Sequence, residues 1–410
     1  MTPASPSADR VRVQIVLPAD PERMTIGGIA SFVRGFVKFA PPDFDLSMVG
    51  VSATRAIGRW AEVELEGRRL RFLPVSRGRA ERRGRVPLAL RFVVGLVAHR
   101  RRLALGTEVL SFHRPGTDLP FRRARAPKWR VVHLSVQDLT TRGSESRWRA
   151  LPRLLGGMER RSFGHMDRIY VVNERVATEY RERHPELAER IAYLPNWADP
   201  TIFHPEPDER RAATRAALAA ELEVDPSADL LLYAGRIEGQ KNPRLLAEAF
   251  AALRARRPGA HLVVAGAGGL EPDFRAALAG SGLTDAVRFV GTVSRARLAQ
   301  LMNACDVAVI PSRYETGPTV GFEALACGLP IAMTDVGQVG RLVREHGAGR
   351  VAAEHTALAL ADAIEGVLAQ PAAALRPSAV AAAAPYLADR VLGAVYEDNR
   401  RLAARLQGRS

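Results

Sequence analysis

Two cations stand close together directly after the apolar run LLLYAG (230–235): Arg236 follows Gly235, and Lys241 comes five residues later, just ahead of Asn242 and Pro243. A strand end followed by a helix start would bring a guanidinium, an ammonium and free backbone N–H groups to one place. That combination suits a diphosphate, because each part compensates oxygen charge from a different direction. Lys38, Lys128 and Lys241 are the only lysines among 59 basic residues, so a lysine here is informative. A second group follows DVAVIPS (306–312), where Glu315 and Glu323 lie eight apart with Gly317, Thr319 and Val320 between them. A helix opening near Thr319 leaves Glu315 in the loop and puts Glu323 just over one turn inside, so both carboxylates could meet one ligand. Gly317 admits close backbone approach, the N–H groups of Thr319 and Val320 form an anion seat, and a carboxylate within the helix suits hydroxyls that need an acceptor. Taken singly, each group also reads as ordinary charge: solvated cations, an N-terminal helix carboxylate at 315 and a solvated one at 323.

The elements that must position these groups alternate along the chain. Apolar runs at 11–18, 45–51, 108–113, 130–136 and 168–173 are interleaved with helical patterns such as ASFVRGFVKFA (30–40). A second series follows at 230–235, 261–266, 287–291, 306–312 and 329–335. Strands alternating with helices imply βαβ units and parallel sheets. The fold class expected is therefore α/β, with two doubly wound, Rossmann-like domains and binding sites at the strand carboxyl ends, facing a cleft. Pro195, Pro200, Pro205 and Pro207 interrupt regular structure between the two series. The expected domains are 1–198, 199–375 and an Ala-rich helical arm, 376–410, returning to the first domain.

Composition bounds the class. With 410 residues, 47% hydrophobic and 25% charged, the chain is long enough for two cores and reads as folded and soluble. Cys305 and Cys327 form neither a disulfide framework nor a zinc pair, which favours a reducing, cytoplasmic address. No D-x-D stands at a strand end and no His/Cys cluster has ligand spacing, so neither a metal nor another cofactor is expected. The first eighteen residues lack the pattern of a secretory signal. The net charge of +15 is concentrated in 51–150, which holds 23 basic and 8 acidic residues. Nucleic acid, an acidic membrane and a phosphorylated acceptor would all answer to such charge. Nucleic acid is disfavoured because no aromatic platform is interleaved with the arginines.

Taken together, these segments resemble the retaining glycosyltransferases of family 4, which have the GT-B fold and use nucleotide-sugar donors. The resemblance rests on Gly235-Arg236, Lys241, Glu315, Glu323 and EALACGLP (323–330), in that order. TIGGIASFV (25–33), YLPNWADPTIFHP (193–205) and AGAGG (265–269) add to it. It implies that Arg236 and Lys241 neutralise the donor diphosphate, that Glu323 accepts from ribose hydroxyls, and that Glu315 sits against the donor sugar. Gly27, Gly28, Gly235 and Gly266 would line the donor phosphates and nucleotide, and Asn196 would stand on the acceptor side. The implied reaction moves a sugar from a UDP-sugar or GDP-mannose type donor to a glycan, glycolipid or polysaccharide hydroxyl, with retained configuration and no metal.

Some positions depart from the family pattern. Pro318 cannot donate an N–H, so hydrogen bonds to the sugar shift to Gly317, Thr319 or Val320. Trp197 follows Asn196 where the family has Gly. The family's first-domain histidine has no plain counterpart: Gln137 occupies the matching place, His133 lies in the strand run, and His113 is an alternative cleft residue or a structural histidine. Other GT-B chemistry, such as a nucleotide-sugar epimerase or a sucrose- or trehalose-type synthase, stays open, as does a basic anion-binding protein without catalysis. Residues 77–105 join arginines to an apolar helical pattern that either lies on an anionic membrane at the inner face or packs its apolar side on the sheet.

Overall fold

The computed structural model describes residues 10–24, 28–78, 87–103, 108–133, 152–315 and 319–407. Gly27, Gln137 and Gly317 lie outside these residues, as do 79–86 and 104–105 of the basic segment 77–105. The chain divides into two units, Met1–Pro195 with Val391–Ser410, and Asn196–Arg390.

In the first unit, β1 (Val11–Val16), β2 (Phe44–Ser52), β3 (Ala61–Leu65), β4 (Arg68–Arg77), β5 (Val109–Phe112), β6 (Lys128–Val132), β7 (Arg168–Val171) and β8 (Ile191–Tyr193) form one sheet, ordered β3-β4-β2-β1-β5-β6-β7-β8. Strand pairing is parallel throughout except between β3 and β4. The central parallel strands are buried on both faces, so β5 reads as a nearly continuous apolar run, and Gln14 in β1 and Lys128 and Arg130 in β6 are buried with it. The chain works outward from β1 to β2 and β4, then crosses back to β5, so the order reverses between β1 and β5. The helix Gly28–Lys38 follows β1 and buries Phe32, Val33, Phe36 and Val37.

In the second unit, β9 (Leu230–Ala234), β10 (His261–Ala265), β11 (Val287–Gly291), β12 (Val307–Ile310), β13 (Ile331–Met333) and β14 (Gly349–Val351) form a wholly parallel sheet, ordered β11-β10-β9-β12-β13-β14. Its switch point lies between β9 and β12, where open α/β sheets leave a crevice beyond the strand carboxyl ends. Both units thus have the doubly wound class expected from the alternation. Phe250 and Phe274 fill one side of the second sheet, and Phe322 the other.

The segment 376–410, expected as one arm, is shared between the units. The helix Ala372–Ala383 buries Leu375, Ala379, Ala382 and Ala383 in the second unit, where alanines let it approach the helix Thr319–Ala326 closely. Only from Val391 does the last helix, Ala388–Gln407, belong to the first unit. There the Tyr396 hydroxyl donates to the Phe36 carbonyl at 2.9 Å, and Arg168 and Tyr170 both donate to Asp398 at 2.8 Å. Trp129, fully buried, donates from Nε1 to Asn399 Oδ1 at 2.9 Å. Replacing Asn399 with alanine leaves that indole N–H without an acceptor and is expected to cost about 1–3 kcal/mol, measured by urea denaturation.

Candidate functional site

The β9 end and the loop behind it are shaped by glycines. Gly266 approaches Gly235 so closely that a Cβ on it would lie 1.9 Å from the Gly235 carbonyl oxygen. Ile237 N–H donates to Ala267 O and Leu270 N–H to Ile237 O, both at 3.0 Å, so AGAGG runs backbone to backbone along Gly235–Glu238. Gly269 N–H also donates to Glu238 Oε1 at 3.1 Å. The chain then makes one tight turn, Gly239–Lys241, and reverses through Asn242, whose φ of +51° is left-handed. Asparagine tolerates that conformation better than most side chains, and Pro243 with its fixed φ opens the helix Pro243–Arg256.

This turn brings Lys241 to the β12 end. Its Nζ lies 2.5 Å from Glu315 Oε1, and the Ser312 hydroxyl donates to the same oxygen at 2.6 Å. Both ion-pair side chains are largely out of solvent, 17% exposed for Lys241 and 5% for Glu315. Two further bonds tie the loops together: Arg313 N–H donates to Gln240 O at 2.9 Å and Gln240 Nε2 to Tyr314 O at 3.1 Å. From beneath, the buried Thr334 hydroxyl donates to Ser312 O at 2.7 Å. Arg236 stands at the β9 end with its side chain exposed, and no carboxylate pairs with it among the described residues. The Tyr233 hydroxyl, pushed up by burial and by the Glu315 carboxylate, donates to the Arg236 carbonyl at 2.8 Å.

The helix Thr319–Ala326 begins at the residue expected, with Thr319 and Val320 half-buried in its first turn. Glu323 is 9% exposed, and its carboxylate has no hydrogen-bond or ion-pair partner among the described residues. Burial pushes its pKa up to about 7; the Arg295 guanidinium opposes that and the Asp199 carboxylate adds to it. Asp199 is itself buried, accepting from Thr201 N–H and Oγ1 at 3.0 and 2.8 Å and facing Arg295 at 3.4 Å. Ser312, Asp199 and Arg295 were not singled out from sequence. Only Ser312 carried a signal, as a hydroxyl closing a strand.

Asn196 opens the second unit. In the first unit Gly28 starts its helix, exposed, with open space where a Cβ would be. His113 closes β5 at the switch point but is only 3% exposed, so it meets neighbours rather than solvent. Its Nε2 lies 2.9 Å from Ser111 Oγ and its Nδ1 3.4 Å from His133 Nε2, with Phe32 and Trp129 rings around it. Burial, then His133, holds its pKa well below the usual imidazole range. His133 stands just beyond β6 rather than inside it, and burial with Arg114 and Arg130 lowers it to about 3. The pair is therefore neutral, and His113 packs where an exposed cleft residue was one expectation.

Residues 215–383 match the family model for glycosyl transferases group 1. The D-inositol 3-phosphate glycosyltransferase of Mycobacterium avium is 35% identical over 243 residues, 57% of this chain and 55% of the relative. The enzyme of that name from Arthrobacter sp. is 34% identical over 188 residues, 45% and 43% of the two chains. The chain thus spans about half the length of the curated relatives it matches. Among solved structures, sucrose-phosphate synthase from Thermosynechococcus elongatus superposes with a TM-score of 0.74 at 19% identity, over 98% of this chain and all of that one. Anabaena Alr3699/HepE in complex with UDP and glucose gives 0.68 at 15%, over 95% and 99%. WaaG, a glycosyltransferase involved in lipopolysaccharide biosynthesis, gives 0.68 at 18%, over 97% and 100%. The chain therefore has the GT-B fold, and its residues 215–383 are similar to the glycosyl transferases group 1.

Proposed function

We propose that the protein is a hexosyltransferase that moves a sugar from a nucleotide-diphosphate sugar to a hydroxyl of a glycan, glycolipid or polysaccharide intermediate, with retained configuration and without a metal. The observation that carries this reading is the set Arg236, Lys241, Glu315 and unpartnered Glu323, gathered at the strand ends of the second sheet. In this reading Arg236 and Lys241 hold the diphosphate, the first turn of the helix Thr319–Ala326 lends it N–H groups, and Glu323 accepts from the ribose hydroxyls. Glu315, anchored by Ser312, keeps Lys241 aimed and sits against the sugar. The bond from the anomeric carbon to the diphosphate oxygen breaks as the bond to the acceptor oxygen forms, and the departing phosphate takes the acceptor proton. Preorganised positive charge facing the departing, increasingly negative diphosphate is what lowers the barrier. Gly27 and Gly28 are assigned to the donor phosphates, Gly266 and Gly317 to the nucleotide and sugar loops, and Gln137 and Asn196 to the acceptor side. His113, buried and uncharged, is assigned to packing. A UDP-sugar is the first donor to test, since Anabaena Alr3699/HepE, of the same fold, is solved with UDP. Two buried free cysteines suit a reducing, cytoplasmic setting.

Thermal unfolding with UDP, GDP or ADP, each with EDTA, tests the reading. One nucleotide is expected to raise the melting temperature of the wild type and to lose most of that effect in Lys241→Ala. A stabilisation that needs added divalent metal would overturn metal independence. Indifference to all three nucleotides would overturn the donor site.

A further inference from the structure

Among the described residues the large apolar side chains exposed to solvent are Leu88, Leu90, Val94, Val97, Tyr314 and Leu358, and four of these six sit on the helix Leu88–Ala98. Leu90, Val94 and Val97 are 55%, 60% and 49% exposed, and their spacings of four and three put them on one helix face. The opposite side is seated on the sheet. Phe92 and Leu96 are fully buried, and Gly95 lies so close to β4 that a Cβ on it would be 2.2 Å from the Val75 carbonyl oxygen. The helix therefore packs on the core by one side and presents hydrocarbon by the other. Packing on the sheet therefore accounts for one side of the apolar pattern and leaves the other side in solvent.

What covers the outer side is indicated by charge. Residues 82–107 contain seven arginines and neither Asp nor Glu. Arg100, Arg101 and Arg102 form the turn directly after the helix and are exposed. A second copy of this chain would have to bring such an arginine cluster against a surface that shares it. An anionic lipid surface answers both halves at once, with acyl chain for Leu90, Val94 and Val97 and phosphate for the guanidiniums. Eleven helical residues are about 16 Å long, too short to cross a bilayer core of about 30 Å. Among the described residues no single helix is long and apolar enough to cross. We propose that the helix Leu88–Ala98 docks the first unit flat on an anionic bilayer, with Leu90, Val94 and Val97 entering the acyl boundary and Arg100 and Arg101 meeting the headgroups, while Arg102 donates to the Gly58 carbonyl. The proposal uses no residue of the second unit and stands apart from the sugar-transfer reading.

The test is co-sedimentation of the full chain with vesicles of phosphatidylcholine alone or with about 30% phosphatidylglycerol. Wild type is expected to sediment with the anionic vesicles only, and to be released by salt near ~0.5 M. The variant Leu90→Gln/Val94→Gln/Val97→Gln is expected to partition at least ~10-fold less while melting at the wild-type temperature, because the three side chains are exposed. Arg100→Gln/Arg101→Gln is expected to weaken binding to the anionic vesicles as well. Wild type left in the supernatant with both vesicle types overturns the proposal, as does a triple variant that sediments like wild type. Equal sedimentation with uncharged vesicles overturns the headgroup contact. A wild-type dimer in size-exclusion that the triple variant breaks would assign the face to a second copy instead.

Discussion

Replacing Lys241 with alanine is expected to lower kcat/KM for sugar transfer by ~10²–10³-fold, with most of the loss in kcat. In the proposed role the ammonium would face a group whose negative charge grows as the glycosidic bond breaks, so its contribution would be greater in the transition state than in the bound donor. The fold should survive the change. Glu315 loses its cation but keeps the Ser312 hydroxyl on the same oxygen, and the Gln240 bonds to Arg313 and Tyr314 still hold the two loops. The stability cost is expected at about 1–3 kcal/mol, since a largely buried carboxylate is left with one neutral donor. Lys241→Arg should recover only part of the rate: its planar fork does not fit the single oxygen that Lys241 and Ser312 now share. Retention of kcat/KM within about threefold in the alanine variant would refute the assigned role.

Glu323→Gln is expected to make the ligand-free protein more stable above pH 7 while weakening nucleotide binding by about tenfold or more. The two effects have one cause. Burial raises the carboxyl from its usual 4.5 to about 7, so the folded protein holds that proton more tightly than the unfolded chain does. Stability from this group therefore falls as pH rises from 4.5 to 7 and is flat above. The ionised carboxylate penalises the empty fold by about 1–3 kcal/mol at pH 8, and glutamine removes the penalty. In its proposed role this group accepts from two hydroxyls more strongly as a carboxylate than as a neutral acid, so donor affinity in the wild type should rise as pH increases through 7. Urea denaturation at pH 5.5 and pH 8 gives the check: a pH dependence identical in wild type and variant would dismiss the assignment.

Most of the parallel framework was legible because strands buried on both faces leave continuous apolar runs, as in LLLYAG and HLVVAG. The β3–β4 hairpin was missed for the opposite reason. β3 alternates along its length and pairs Glu62 with Arg71 and Glu64 with Arg69, while the apolar run of β4, Phe72 to Val75, is interrupted by Pro74, a residue that argues against a strand. The hairpin's two-residue turn has the positive φ at both Glu66 and Gly67 that hairpins favour, but glutamate is not a residue that announces a left-handed turn. At the site, strand ends and the helix start at Thr319 placed Lys241, Glu315 and Glu323 correctly in their elements. The direct Lys241–Glu315 pair was not legible, because it depends on β9 and β12 being neighbours across a chain reversal. Asp199 and Arg295 were hidden likewise, being 96 positions apart in sequence. His113 shows the converse limit, since a polar residue at a strand end gives no sign of the aromatic rings that bury it.

The return of the last helix to the first unit bears on the order in which the molecule is made. Trp129 and Asn399 are 270 positions apart, so the acceptor for that buried indole leaves the ribosome long after the sheet that needs it. At roughly 5–20 residues per second the delay is on the order of ten seconds or more. During that time Trp129, Phe36 and Tyr170 lack the helix that covers them, while Asn196–Arg390, contiguous in sequence, has everything it needs to close its own core. The half synthesised first is thus the half completed last, and its uncovered aromatic face is the surface that nascent chains of this protein must keep from one another.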